Sequence, residues 1–268
     1  MRTKASGTAL ITGASTGIGA VYADRLALRG YDLVLVARDK DRMEAIAARL
    51  RAQTGRTVDV LPADLATTEG VANARDRLVD DPTMTMLVNN AGVSLNGSLL
   101  ENGPVELERL IAVNIAAPTL LANAAGKAFV GRRAGTIVNI ASVLALAPEL
   151  LDGVYSGSKA YLLNLSIALA AKVKDAGVHV QVVLPGATRT EIWEKSGKDP
   201  DALLPGMVME VGDLVDAALV GLDRGETVTI PPLADERQWT AYNDARLALA
   251  PNLSRREVAV RYRQAVHA

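Results

Sequence analysis

No cysteine occurs in the chain, so neither a disulfide framework nor a thiolate metal site can form. The two histidines, His179 and His267, stand too far apart in sequence to build a zinc site by themselves, and no metal is expected. Aromatic residues are only 3% of the total, which leaves few rings for stacking on bases or sugars and implies an aliphatic core. Charge of either sign is scarce in excess: the formal net charge is −1 and Lys and Arg are scattered, so there is no electrostatic footprint for nucleic acid. A basic, apolar leader is missing, as is an apolar run of the roughly 20 residues that a membrane span needs. These absences point to a cytoplasmic protein with a small neutral or anionic ligand, binding neither nucleic acid nor membrane.

What the chain does have is aliphatic residues in an alternating rhythm. With 49% hydrophobic residues in 268, it can bury a substantial core, and one domain over 1–268 is expected. Thr8–Thr12 is a short apolar run that breaks at Gly13, and Ile18, Val21, Tyr22 and Leu26 then follow at helical spacing. Further buried strands are read at Leu33–Val36, Val58–Leu61, Met86–Val88, Thr136–Ile140 and Val178–Leu184, with helices between them. Six strand–helix units in series predict an α/β fold: a doubly wound, mostly parallel, seven-stranded Rossmann-like sheet with helices on both faces. The seventh strand is Thr227–Ile230. Residues 187–210, irregular and mixed in charge, are expected to form a substrate lid. Residues 231–268 form a C-terminal helical extension, with helices expected over about 235–249 and 254–266. The second opens on the capping-box spacing of Ser254 and Glu257.

Several stretches carry chemistry. The loop Gly13-Ala14-Ser15-Thr16-Gly17-Ile18-Gly19 lies between strand and helix, where missing β-carbons let a backbone approach a pyrophosphate at the positive helix terminus. Arg38, just beyond the second strand, favours the 2′-phosphate of NADP(H) over the ribose hydroxyl of NAD(H). Asp39 is read as the N-cap of the helix running to Gln53. Asp64-Leu65 stands at the exit of the third strand, and Asp64 is either an adenine contact or a cap for backbone amides. Asn90-Ala91-Gly92 lies at the tip of the fourth strand, where ligands of open α/β sheets bind. Asn114 interrupts the apolar face of a helix over about 104–130, so it needs a hydrogen-bonding partner or a function. Tyr155 and Lys159, four residues apart on a helix, share one face, and a fixed ammonium beside a phenol favours the phenolate.

Taken together, Thr12-Gly13-x-x-x-Gly17-Ile18-Gly19, Asn89-Asn90-Ala91-Gly92, Asn114, Ser142, Tyr155-x-x-x-Lys159 and Pro185-Gly186 resemble the short-chain dehydrogenase/reductase family, in its single-domain branch. The resemblance covers about residues 5–230. It implies an oxidoreductase that moves a hydride between NADP(H) and a ketone or secondary alcohol. Tyr155 would be the general acid or base, Lys159 would lower its pKa and hold the nicotinamide ribose, and Ser142 would bind the substrate oxygen. Asn114 would hold a water linking Lys159 to solvent. Thr188 and Thr190, after Pro185-Gly186, would lie beside the nicotinamide carboxamide. A homodimer through the helices of Asn114 and Tyr155, or a homotetramer, is also implied.

The chain departs from the family in lacking a glycine shortly after Ser142, so the pocket wall is expected to be more aliphatic than usual. Leu144, Leu146, Leu150, Leu151, Trp193, Met207 and Met209 suggest an apolar pocket for a small-molecule substrate, although core or lid packing explains their spacing equally well. A 3-oxoacyl carrier-protein reductase is an alternative, for which Arg189, Lys195 and Lys198 are the obvious basic residues at a site mouth. A non-catalytic nucleotide-sensing protein is another, disfavoured by the intact Ser142, Tyr155 and Lys159.

Overall fold

The computed structural model describes residues 6–150, 153–191 and 206–263. Seven strands form one sheet: β1 (Thr8–Thr12), β2 (Asp32–Ala37), β3 (Val58–Pro62), β4 (Met84–Asn89), β5 (Gly135–Ile140), β6 (Val178–Val183) and β7 (Val228–Thr229). Their order is β3-β2-β1-β4-β5-β6-β7, and all six pairings are parallel. Parallel neighbours require crossovers, which the helices supply: α1 (Gly17–Leu28), α2 (Lys40–Thr54), α3 (Thr68–Asp80), α4 (Pro104–Ile111), α5 (Ala117–Arg132), α6 (Gly153–Val173) and α7 (Val211–Asp223). The strand order reverses between β1 and β4, and the crevice at such a reversal is where this architecture binds ligands.

Alternate residues of each strand face opposite sides, and this separates two cores. On one face, Ala9 and Ile11 of β1 and Leu33 and Leu35 of β2 pack with Tyr22 and Leu26 of α1, Met43 of α2, and Val215 and Leu219 of α7. On the other, Leu10, Val34 and Val36 meet Ala74 and Leu78 of α3 and Leu121, Ala125 and Phe129 of α5. Phe129 is the only phenylalanine in the chain, and it is fully buried.

The long helix expected over about 104–130 is one continuous run with a defect. Between α4 and α5, Ala112–Ala116 form a π-helical turn, in which the Ala117 N–H reaches back to the Ala112 carbonyl. Such single turns carry one extra residue and recur at functional sites. Asn114 is in it.

The chain divides into two compact units, Met1–Pro232 and Leu233–Ala268, where the sequence suggests one domain with an extension from 231. In the second unit α8 (Glu236–Ala248) is capped by Asp235, whose side chain accepts the Arg237 N–H, and Trp239 stacks on Tyr242. The helix expected over about 254–266 does not form as far as residue 263. Only a 3-10 turn, Val260–Tyr262, is present there, and residues 264–266 lie outside the described residues. A capping signal cannot sustain a short helix that buries no apolar face, and every residue from 254 to 263 is exposed. No helix among the described residues is long and apolar enough to cross a membrane.

Candidate active site

The crevice starts at the glycine loop. Gly13 and Gly17 have φ of 66° and 54°, the left-handed region that disfavours a side chain. Close packing adds a second demand: a β-carbon at Gly13 would lie 2.8 Å from Asn90 Nδ2, and one at Gly19 would lie 2.4 Å from the Gly13 carbonyl oxygen. Asn90 Nδ2 donates to the Thr12 and Gly13 carbonyls at 2.9 and 3.2 Å. Thr12 Oγ1 in turn accepts the Asn90 and Ala91 N–H groups at 2.9 and 3.0 Å. The tips of β1 and β4 are thus pinned together beneath the loop. Ile18 packs partly buried against the first core. The Thr16 side chain makes no capping hydrogen bond to α1, and Ser15 and Thr16 are half-buried in the loop.

A second group gathers at the tips of β4 and β5. Asn114 is buried at 2% exposure, and its amide is fully engaged: Oδ1 accepts the Val93 N–H at 2.9 Å, while Nδ2 donates to the Val93 carbonyl at 2.9 Å and to Ser158 Oγ at 3.1 Å. Ser158 Oγ donates to the Tyr155 carbonyl at 2.7 Å. Lys159 Nζ donates to the Ile140 carbonyl at 3.0 Å and lies 5.5 Å from the centre of the Tyr155 ring. Gly92 borders both groups, since a β-carbon there would stand 3.4 Å from Lys159 Nζ and 3.5 Å from Asn114 Oδ1. Ser142, also buried, follows β5, and its Oγ accepts the Leu144 N–H at 3.2 Å. The turn it opens, Val143–Ala145, packs against α6 and is half-buried.

The third wall follows β6. The Pro185 carbonyl accepts the Val143 N–H at 2.9 Å, joining the β5 and β6 tips, and Thr188 Oγ1 donates to the Gly186 carbonyl at 3.0 Å. Thr188 bridges to Met209, so the two ends of the 187–210 segment pair side by side. Thr190 packs over the glycine loop, where a β-carbon at Gly17 would meet its side chain at 3.3 Å. Of the suggested pocket residues, Leu144 and Leu146 are half-buried, while Leu150 and Met207 are exposed. Leu151, Trp193, Lys195 and Lys198 lie outside the described residues.

The family model for short chain dehydrogenases matches residues 7–201. The chain belongs to this family. Its structure superposes on a short-chain dehydrogenase from Sphingobium yanoikuyae in complex with NADPH, with a TM-score of 0.93 and 48% identity over 96% of this chain and 100% of that one. It also superposes on a bulky-bulky ketone specific alcohol dehydrogenase from Comamonas testosteroni, with a TM-score of 0.89 and 43% identity over 97% of this chain and 99% of that one. Human 17-beta-hydroxysteroid dehydrogenase type 3 is 36% identical over 184 residues. That match takes in 68% of this chain and 59% of the human protein, so the chain spans about three-fifths of the curated relative.

At the exit of β3, the capping reading of Asp64 is met. Asp64 Oδ1 accepts the Ala66 N–H at 3.0 Å, so it does cap a backbone amide, and both carboxylate oxygens lie 3.3 Å from Arg109 Nη2. Burial works against the charge on Asp64, but the Ala66 N–H and Arg109 outweigh it and hold the carboxyl below its usual range. The Leu65 side chain is buried in the second core, which leaves only its backbone for a ligand. Asp39 caps α2 as expected, accepting the Arg42 N–H at 3.0 Å. Arg38 is exposed at the β2 tip, and its guanidinium pairs with no carboxylate among the described residues.

Burial pushes the Tyr155 phenol up to about 12 and the Lys159 ammonium down to about 8. Desolvation disfavours the charged form of each group. Thr12, Ser158 and Arg109 were not singled out as functional residues from sequence. Thr12 and Ser158 carry a local signal, a hydroxyl directly before a Gly or Lys of the motif. Arg109 carries none, because its partner is 45 residues away.

Proposed function

We propose that this short-chain dehydrogenase uses NADP(H) to interconvert a ketone and a secondary alcohol, acting in the cytoplasm. The exposed guanidinium of Arg38 at the β2 tip, in no ion pair among the described residues, is the observation that carries the cofactor reading. The glycine loop, packed too closely on Asn90 and its own backbone to admit a β-carbon at Gly13 or Gly19, fits a pyrophosphate, and Arg38 fits a 2′-phosphate by a charge-assisted contact. The bound nicotinamide supplies the hydride chemistry. Tyr155 Oη holds the proton that passes to the substrate oxygen in reduction and takes it back in oxidation. That phenol is protonated at neutral pH, and burial raises it further, so the resting protein holds the proton needed for reduction. Lys159, anchored on the Ile140 carbonyl, places its charge below the ring, where it stabilises the phenolate as it develops. Ser142 Oγ orients the substrate oxygen. Asn114 braces the 93 backbone against α6, and Thr188 and Thr190 wall the nicotinamide side.

For the substrate, the likeness to a bulky-bulky ketone specific enzyme and the half-buried aliphatic turn 143–146 support a ketone flanked by two large apolar groups. Exposed Val105 and Ile111 on α4, Leu120 on α5 and Tyr161 on α6 support a homodimer through these helices, testable by light scattering. The decisive experiment is a turnover screen with NADPH and NADH over aryl-alkyl and diaryl ketones, small ketones and a 3-oxoacyl thioester. Turnover of bulky ketones with NADPH is expected. Exclusive use of the thioester, or of NADH, would refute this reading.

A further inference from the structure

We propose that Arg42 is a second residue selecting the 2′-phosphate of NADP(H), and that Glu191 occupies its guanidinium until that phosphate arrives. The inference rests on the NADP(H) reading above. Arg42 is the third residue of α2, and its side chain turns back: Nε pairs with Asp39 Oδ2 at 3.3 Å while its backbone N–H bonds Asp39 Oδ1 at 3.0 Å. Asp39 directly follows Arg38, so this contact holds the Arg42 guanidinium at the β2 tip rather than along α2. There Nη1 donates to both carboxylate oxygens of Glu191, at 2.9 and 2.8 Å. Glu191 reaches this place from 149 residues away because Thr190, its neighbour, packs on the glycine loop.

The Glu191 carboxylate therefore stands where an anionic ligand group would stand. Guanidinium groups take carboxylates and phosphates through the same fork of donors. The ion pair is open to water, with side chains 52% and 37% exposed, so little is lost when it exchanges. A phosphate ester brings up to two charges and three acceptor oxygens against the single charge of a carboxylate. Charge in this stretch is balanced: Arg38, Lys40 and Arg42 stand with Asp39 and Asp41 in sequence, and Glu191 adds a third carboxylate through Arg42. Glu191 thus opposes the phosphate twice, by holding Arg42 and by like-charge repulsion, and NADH meets neither effect.

The test is equilibrium titration of the full chain with NADPH and with NADH, followed by nicotinamide fluorescence at fixed ionic strength. Glu191→Gln is expected to tighten NADPH by about fivefold to tenfold and to leave NADH within about twofold, as expected when a competing charge is removed from a charge-assisted contact. Arg42→Ala is expected to weaken NADPH about tenfold with little change for NADH, and in that background Glu191→Gln should tighten NADPH less than it does in the wild type, since only the like-charge repulsion is left to relieve. Both side chains are exposed, and circular dichroism with thermal melting verifies that the variants are folded. Equal weakening of both cofactors by Glu191→Gln would identify the pair as a structural brace and overturn the proposal. So would an unchanged NADPH/NADH ratio in Arg42→Ala. A wild-type chain that binds the two cofactors equally, with Arg38→Ala silent, would instead overturn the NADP(H) reading itself.

Discussion

Lys159 sits where an ammonium is expensive to charge, and the structure gives it one carbonyl oxygen and the Tyr155 ring in place of water. Its affinity for a proton therefore falls from 10.5 to about 8, inside the range of ordinary assays. Below that value the charge is present and can stabilise the phenolate that forms as Tyr155 gives up its proton; above it the charge is lost. Ketone reduction at saturating cofactor should accordingly be level at lower pH and decline above about pH 8. Because the folded value lies below the unfolded one, the unfolded chain binds the extra proton between the two, so this titration adds stability as pH rises through that window. A fall in rate without a fall in melting temperature is therefore expected, and a rate that stays level to about pH 10 would exclude Lys159 as the titrating group. For Tyr155→Phe, turnover should drop by at least about a hundredfold, the lower end for a positioned proton donor. NADPH affinity should change little by fluorescence titration, and sustained turnover would remove Tyr155 from the mechanism.

Elements matter here mainly through what their ends are tied to. The tips of β1 and β4 are joined by the Asn90 side-chain amide and by the Thr12 hydroxyl, whose Oγ1 accepts two N–H groups and lies 3.3 Å from the Val88 carbonyl. Replacing Thr12 with Val keeps the shape and leaves two inward N–H groups without an acceptor, at a cost of about 1–3 kcal/mol each if buried. Thr12→Val should thus lower the unfolding midpoint in denaturant and weaken cofactor binding, while Thr12→Ser should restore both; a Val variant equal to wild type would show that the hydroxyl is dispensable. The π turn plays a similar part for α4 and α5, turning Asn114 onto Val93 and Ser158 at once. Helical periodicity showed Asn114 as an interruption but could not show the extra residue, which is a response to those three distant partners.

At the scale of the molecule, both apolar cores are assembled from residues of the first unit, the last of them Leu222. A chain ending at Pro232 should therefore unfold cooperatively, with a stability loss within about 1 kcal/mol, as for changes outside a core. Absence of a cooperative transition in calorimetry would show that residues 233–268 are needed for folding. The sequence alone determined the strand–helix alternation, the parallel sheet and the place of the glycine loop, which depend on side-chain periodicity and on backbone freedom at Gly13 and Gly17, local properties of the chain. Ser142, Tyr155 and Lys159 were singled out together by their resemblance to a family pattern. The sequence overreached at 254–266, where a local capping pattern had no core to pack against. Only the tertiary structure decided that Arg109 holds Asp64, that Glu191 holds Arg42, and that burial raises the Tyr155 phenol. Ion pairs and desolvation depend on which distant segments meet and on how much water they exclude, and no spacing within one segment encodes either.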